Sequence, residues 1–495
     1  MVITSAVTGM LLITGQRGGG VNQVVGDNQR TTIDADTANR GIYRASEMLE
    51  KAEVMTVNQF NSIISSNSSD GIFTDKITVT DISPCRKDII SSVNWSPSPG
   101  RTQTVELSSS LAGMQEAGAM GGDCNVAPPS TNWQTVVCKD SDGSPTWDFP
   151  QDSGIPATGI DVIKRGTNRY AVITSQGSAS GKRDFWIVNV KDRTILASPQ
   201  SLMSALDLGP GFNDLDVAGN YAFVANNATS KQFFVIDISN LAVPDSVASI
   251  SLNAVGGGSE GQRIFYYNNK VYMGTNRMIS YKEFQIFDVT NPASPTLIPN
   301  SGYDVEHNIY SIVVRNEVVG GISKTLAYLA VSDSVGDKPK LIILDVTNPS
   351  SVTLLGSYNP SPNSALYGTA LYVIGKNVYL GRQRATLPSK DLLSINVSNP
   401  SLPILSDSEL LGMGSNTDVR GMVVSGPLLF VSTSDNNKGF QVWNISNPSN
   451  IINVANCKYP QEPMDLDFDG DFIYVTNRSQ AALRIIYDNA NPFPN

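Results

Sequence analysis

Gln285–Pro292 reads QIFDVTNP and Ile342–Pro349 reads IILDVTNP, and the same phrase returns along the chain in varied form. WIVNVKD (186–192), FVIDISN (234–240), LSINVSNP (393–400) and QVWNISNP (441–448) are further copies, and LRIIYDNANP (483–492) is a worn one. Each is a short apolar run ending in Asp or Asn, followed by Val or Ile and usually by Ser/Thr-Asn-Pro. The Asp or Asn falls at 189, 237, 288, 345, 396, 444 and 488, with spacings of 48, 51, 57, 51, 48 and 44 residues. A period of that length marks a repeated supersecondary unit.

Within a unit the pattern is three apolar strands and a weaker fourth. In the second copy these are DLDVAGN with a turn at Gly219-Asn220, YAFVAN, FFVIDIS and SVASISL. Consecutive short strands without helical spacers exclude a parallel βαβ fold and predict a β-propeller with seven four-stranded blades. The recurring Asp or Asn caps the turn that ends the third strand, and Asn-Pro sets an extended exit toward the fourth. The seventh copy ends at Asn495 without its own fourth strand, so the segment Trp133–Cys138 (WQTVVC) is expected to complete that blade.

The runs FFVID and LIILD resemble the LVIVD-repeat family of β-propellers over residues 159–490. That resemblance implies architecture and says little about activity. Residues 1–117 read differently. Val2–Gly15 is apolar but shorter than the about 20 residues that cross a bilayer. Ile33, Ala38, Ile42, Ala45, Leu49 and Ala52 then recur at helical steps, and strands follow at Lys76–Thr80, Ile89–Trp95 and Thr102–Leu107. An apolar helix extended by ANRGIYRASEMLEKAE, then a small antiparallel sheet carrying VNW and GRTQTVELSS, resembles minor pilins and pseudopilins. The family's cleavage glycine and the glutamate at its fifth mature position are not found in this run. The resemblance implies that Val2, Leu11, Leu12, Ile13, Ile33, Ile42 and Leu49 form a filament- or membrane-directed helix with other pilin-like subunits as partners. Residues 118–158 read as a linker holding the blade-completing strand, and 159–495 as the propeller.

The chain has 495 residues, 16% charged, and a net charge of −10, which disfavours nucleic acid as a partner. Its four cysteines form no CxxC pair and it has one histidine, His307, so zinc or haem ligation is not expected. Cys124 and Cys138 suit a short disulfide loop, leaving Cys85 and Cys457 to pair or stay free; four buried thiols are the alternative. His307 sits in SGYDVEHNIY beside Tyr303, Asp304 and Glu306, read as a ligand-facing loop or a polar connector. Asp214 and Asp465 occupy equivalent places at the start of their innermost strands. Together they could hold calcium or a polar glycan, or only cap turns.

These readings predict a mainly β protein without enzymatic activity, extracellular or at the cell surface and anchored to a pilus or membrane through its N-terminal helix. Its propeller would serve adhesion or recognition of a glycan or surface protein, with no cofactor beyond calcium. An anchored propeller hydrolase or oxidoreductase and a structural filament subunit are the competing readings.

Overall fold

A computed structural model describes residues 12–15, 27–55, 63–83, 86–98, 101–112, 133, 136–137, 146–147, 155–166, 168–177, 181–190, 202–252, 259–277, 281–332, 339–360, 366–383, 390–414, 417–435, 437–459, 461–470, 472–479 and 481–488. The chain divides into two compact units, Met1–Pro128 and Pro129–Asn495. Among the described residues there are one helix and eight antiparallel sheets.

In the first unit, the helix Asp27–Met55 lies on a sheet of strands Ser66–Asp70, Phe73–Ser83, Arg86–Ser98, Arg101–Ala112 and Leu12–Gly15. Its small and branched face packs onto that sheet. Leu49 and Ala52 meet Ile89 and Leu111, while Ala45 meets Phe73, Val93 and Trp95. The Cβ position of Gly41 falls 2.7 Å from the Trp95 ring, so the helix can come this close only without a side chain there. On the adjoining flank, Arg44 pairs with Asp70 at 2.9 Å and with Asp75.

This arrangement corrects the N-terminal expectation. Leu12 and Ile13 lie in a strand, paired with Glu106 and Val105, and are not helical. The β-branched residues that made the run look apolar also favour extended backbone. Ile42 is half-buried and Leu49 buried against the unit's own sheet; Ile33 is helical with its side chain outside the described set, and Val2 and Leu11 lie outside the described residues. No helix among the described residues is long and apolar enough to cross a membrane, which overturns anchoring through the N-terminal helix.

The second unit holds seven successive sheets. Their first strands are Ala157–Arg165, Phe212–Ala218, Gly261–Tyr267, Ile309–Val319, Gly368–Ile374, Val419–Ser425 and Pro463–Phe468. In the first six sheets all four strands are consecutive in sequence. Their middle strands read as unbroken apolar runs because both faces are covered. Hydrophobic clusters bind each sheet to the next. Trp186 and Ile160 of the first sheet also pack with Tyr474 and Ile485 of the last.

The repeated phrase folds as a double turn. In five copies the motif side chain accepts the N–H two residues on: Asp237 from Ser239 at 2.8 Å, Asp288 from Thr290 at 2.8 Å, Asp345 from Thr347 at 3.0 Å, Asn396 from Ser398 at 2.8 Å and Asn444 from Ser446 at 2.9 Å. The following Val or Ile turns back into the core, and its N–H bonds to the preceding hairpin, as from Val289 to the Asn269 carbonyl at 3.0 Å. The motif Asn then accepts from the residue two further on, as Asn399 does from Ser401 at 3.2 Å. Asp and Asn alternate freely here because only an acceptor oxygen is needed.

In the last sheet the third strand, Leu483–Asp488, pairs with two short strands from before the first sheet. Val136–Val137 pairs with Tyr487 and Asp488, and Thr146–Trp147 with Arg484 and Leu483. Trp133 inserts beside them, edge-on to Phe430 with ring centres 4.8 Å apart. The expected strand Trp133–Cys138 is thus extended only over Val136–Val137 among the described residues, and Thr146–Trp147 was not foreseen.

Candidate functional site

All seven first strands carry a β-bulge at the same place, between Ala157 and Ile160, Phe212 and Asp214, Gly261 and Arg263, Ile309 and Ser311, Gly368 and Ala370, Val419 and Gly421, and Pro463 and Asp465. A bulge re-aims the side chains beside it. Residues just after it form an equivalent set: Gly159, Asp214, Arg263, Ser311, Ala370, Gly421 and Asp465. Six first strands converge here on a half-enclosed cavity of about 110 Å³, with Asp214, Arg263, Tyr310, Ser311, Arg420 and Asp465 as its polar lining.

Aspartates at and beyond the bulge tie neighbouring sheets together. The carboxylate of Asp161 accepts the Val217 N–H at 2.8 Å, Asp214 that of Ile264 at 2.9 Å, Asp216 that of Tyr266 at 2.6 Å, and Asp467 that of Val162 at 2.7 Å. Ser311 serves the same purpose toward Leu371 at 3.3 Å. First strands of adjacent sheets cannot form a ladder with one another, so these side chains satisfy the N–H groups that face across.

Removal from bulk water raises the carboxyl pKa at every one of these aspartates. Asp161 and Asp214 are pushed up to about 6; at Asp161 the Val217 and Val162 N–H groups oppose the rise, and at Asp214 the Arg263 guanidinium does. Asp465 is raised to about 7 by burial and then by the Asp214 charge. Asp216 and Asp467 lie well above the ordinary carboxylate value through burial and the nearby Asp161.

The two arginines are held by different means. Arg263 donates to the Tyr310 carbonyl at 2.6 Å and the Gln262 carbonyl at 3.2 Å. Arg420 pairs with Glu462 at 3.0 Å and Asp418 at 3.6 Å, and its buried Nε has no protein acceptor. Gly421 lets the first strand of the last sheet come close. A Cβ there would sit 3.0 Å from Asp465 Oδ1, 3.1 Å from the Leu466 nitrogen and 3.2 Å from Ser432 Oγ.

Asp214 and Asp465 therefore line one cavity, and each already accepts backbone N–H bonds. No group of three or more His, Cys, Asp and Glu residues among the described ones is arranged to hold a metal ion. His307 lies away from the cavity lining and is buried in a connector, where Val305 and Glu306 donate their N–H groups to Glu283 Oε2 at 2.9 and 3.2 Å. Cys457 is disulfide-bonded; Cys85, Cys124 and Cys138 lie outside the described residues. Arg263, Tyr310 and Arg420 escaped sequence reading. Aligning the first strands on the apolar residue that follows the bulge (Ile160, Leu215, Ile264, Ile312, Leu371, Met422, Leu466) would have found them.

No curated protein matches the sequence. The fold is similar to the N-terminal domain of Nup159, at 11% identity and a TM-score of 0.42, covering 71% of this chain and 92% of that one. It is also similar to BamB from Moraxella catarrhalis (12%, TM-score 0.40, 73% and 98% covered) and to virginiamycin B lyase from Staphylococcus aureus (12%, 0.45, 71% and 98%). Enzymes and non-enzymes both occur among such neighbours, so the likeness carries no activity. The LVIVD repeat matches at residues 212–251, 279–301, 327–360 and 417–458, so the second unit is an LVIVD-repeat β-propeller domain.

Proposed function

We propose that the chain is a non-enzymatic recognition protein whose seven sheets form a closed seven-bladed propeller, with the ligand received in the cavity between the first strands. Closure is supported by the hydrophobic cluster shared by the first and last sheets and by the Val162–Asp467 bond. The observation that carries the recognition reading is the fixing of the cavity's charged groups. Asp214 and Asp465 are held by backbone N–H groups, and Arg420 by Glu462 and Asp418, so the lining is a rigid array of donors and acceptors. Such preorganisation favours binding, since little side-chain entropy is lost when a ligand enters. The N-terminal unit is read as a mounting module. Because its helix spends its apolar face on its own sheet, contacts with like subunits would use the opposite face, where Tyr43 is exposed.

The test is parallel binding and turnover with the full chain, using immobilised glycans and soluble glycoside, lactone and alcohol substrates. Saturable binding without turnover, weakened by Arg420→Gln, is expected. Turnover that disappears in Asp465→Asn would sink the reading in favour of an enzyme.

A further inference from the structure

The cavity's chemistry narrows the kind of ligand. Its lining brings two guanidinium groups, Arg263 and Arg420, together with two carboxyl groups, Asp214 and Asp465, and the Ser311 hydroxyl. Neither sign of charge stands alone. Arg263 acts on both Asp214 and Asp465, and Arg420 is paired with Glu462 and Asp418. A free anion would meet two carboxyl groups as it approached the arginines. A free cation would meet the arginines, and no cluster of three ligating groups is present among the described residues.

A molecule whose groups each donate and accept at once uses both kinds of partner without adding charge. Hydroxyls do this, donating to carboxylates while accepting from guanidinium N–H groups. At roughly 30 Å³ of liquid volume per water, about 110 Å³ holds on the order of four water-sized groups. That suits one edge of a hexose ring with its hydroxyls, the rest of the ring lying in the open mouth, and is too small for an oligosaccharide.

We propose that the cavity binds one neutral monosaccharide unit, with Asp214 and Asp465 accepting from its hydroxyls and Arg263 and Arg420 donating to them. This rests on the recognition reading and specifies its ligand. Gly421 is then a sensitive position, since a side chain there would press on Asp465 Oδ1 and the Leu466 nitrogen and displace one of the proposed acceptors.

The experiment is calorimetric titration of the full chain with free neutral hexoses and N-acetylhexosamines, with acetate and methylammonium as ionic comparisons. At least one sugar should bind saturably, in the millimolar range expected of a single unit. Gly421→Val should weaken it by about tenfold or more, a loss of about 1.4 kcal/mol. Arg420→Gln, which keeps a shorter, uncharged amide donor, should weaken it less, and circular dichroism should show both variants folded. Should Gly421→Val not fold, the Arg420→Gln result decides. The proposal is overturned if no sugar saturates, if acetate or methylammonium binds more tightly than every sugar, or if the folded variants bind as the parent does. Capture of a macromolecule by the chain that is indifferent to both substitutions would leave the recognition reading standing and remove the sugar from the cavity.

Discussion

The backbone N–H of Val162 donates to Asp467 Oδ2 at 2.7 Å across 305 residues of sequence, joining the first strand of the first sheet to that of the last. Asp161, one residue away, makes the equivalent bond to Val217 of the second sheet. Asp467→Ala leaves the Val162 N–H facing an emptied site, and a buried unsatisfied donor costs about 1–3 kcal/mol. Urea unfolding should show a loss in that range, and a similar one for Asp161→Ala. An unchanged midpoint in both would mean that these bonds do not hold the sheets together.

The same aspartates set a pH dependence with an unusual sign. Asp161 and Asp214 titrate near 6 and Asp465 near 7, all above the ordinary 3.8. Asp184, fully buried and accepting the Leu208 N–H at 3.1 Å, is raised to about 7 by burial. A raised folded-state pKa means that the folded protein binds more protons than the unfolded one between the two values. The stability from these groups is therefore complete below about pH 4 and is lost as pH rises toward 7. Asp288 and Asp345, lowered, work the other way and weaken the fold only under acid. The unfolding midpoint should fall between about pH 5 and about pH 8. Asp184→Asn should flatten that slope, the group's share being at most on the order of 4 kcal/mol. A midpoint that climbs with pH over that range would refute the account.

The motif turns predict a sharp difference between two small changes. Asp345 accepts from Thr347 through one oxygen and pairs with Lys324 at 2.6 Å through the other. Asn396 and Asn444 perform the turn role with an amide in their own copies. Asp345→Asn should therefore cost a few tenths of a kcal/mol, the ion pair being partly exposed. Asp345→Ala, which removes the turn's acceptor, should cost about 1 kcal/mol. Thermal unfolding of the pair side by side separates turn chemistry from charge, and equal losses would assign the effect to the ion pair.

These turns show why the architecture was legible while the cavity was not. Every third strand must end in the same turn, so Asp237, Asp288, Asp345, Asn396 and Asn444 recur with one set of neighbours and the period can be counted. Cavity residues obey no such constraint. One equivalent position holds Gly159, Asp214, Arg263, Ser311, Ala370, Gly421 and Asp465, because no shared turn fixes the side chain there. Only Asp214 and Asp465, each in an Asp-Leu-Asp triplet, stood out. In the N-terminal unit, Leu12–Gly15 was misread because an apolar run this short has no period by which a helix can be told from a strand.

Close packing between the fourth and fifth sheets makes Gly356 irreplaceable. A Cβ on this strand residue would lie 2.0 Å from the Pro400 carbonyl oxygen, a backbone atom that a side-chain rotation cannot move. Gly356→Ala must push the Thr353–Tyr358 strand away from the Asn399-Pro400 turn, with a cost of about 1–3 kcal/mol for overpacking. Gly219→Ala serves as the comparison. Its Cβ would meet open space and only the positive φ of 61° opposes it, so the loss should be near 1 kcal/mol. A Gly356→Ala protein as stable as the parent would show that the two sheets are less tightly seated than the geometry requires.

Trp133 tests whether the segment ahead of the first sheet is integral to the last one. Its ring is 1% exposed, edge-on to Phe430 of the sixth sheet and 6.4 Å from Phe468 of the seventh, so it closes the cluster that binds those two. Just beyond it, Val136–Val137 takes the outer position beside Tyr487 and Asp488. Trp133→Ala should therefore do more than empty a cavity, for which about 3–5 kcal/mol is typical. It should also free the outer strand and expose the edge of Leu483–Asp488 to solvent. Hydrogen exchange at Ile485–Tyr487 should accelerate beyond what global destabilisation explains, while exchange in the third and fourth sheets follows stability alone. Uniform acceleration through all seven sheets would instead mean that the segment stabilises the domain as a whole and that the last sheet keeps its edge without it.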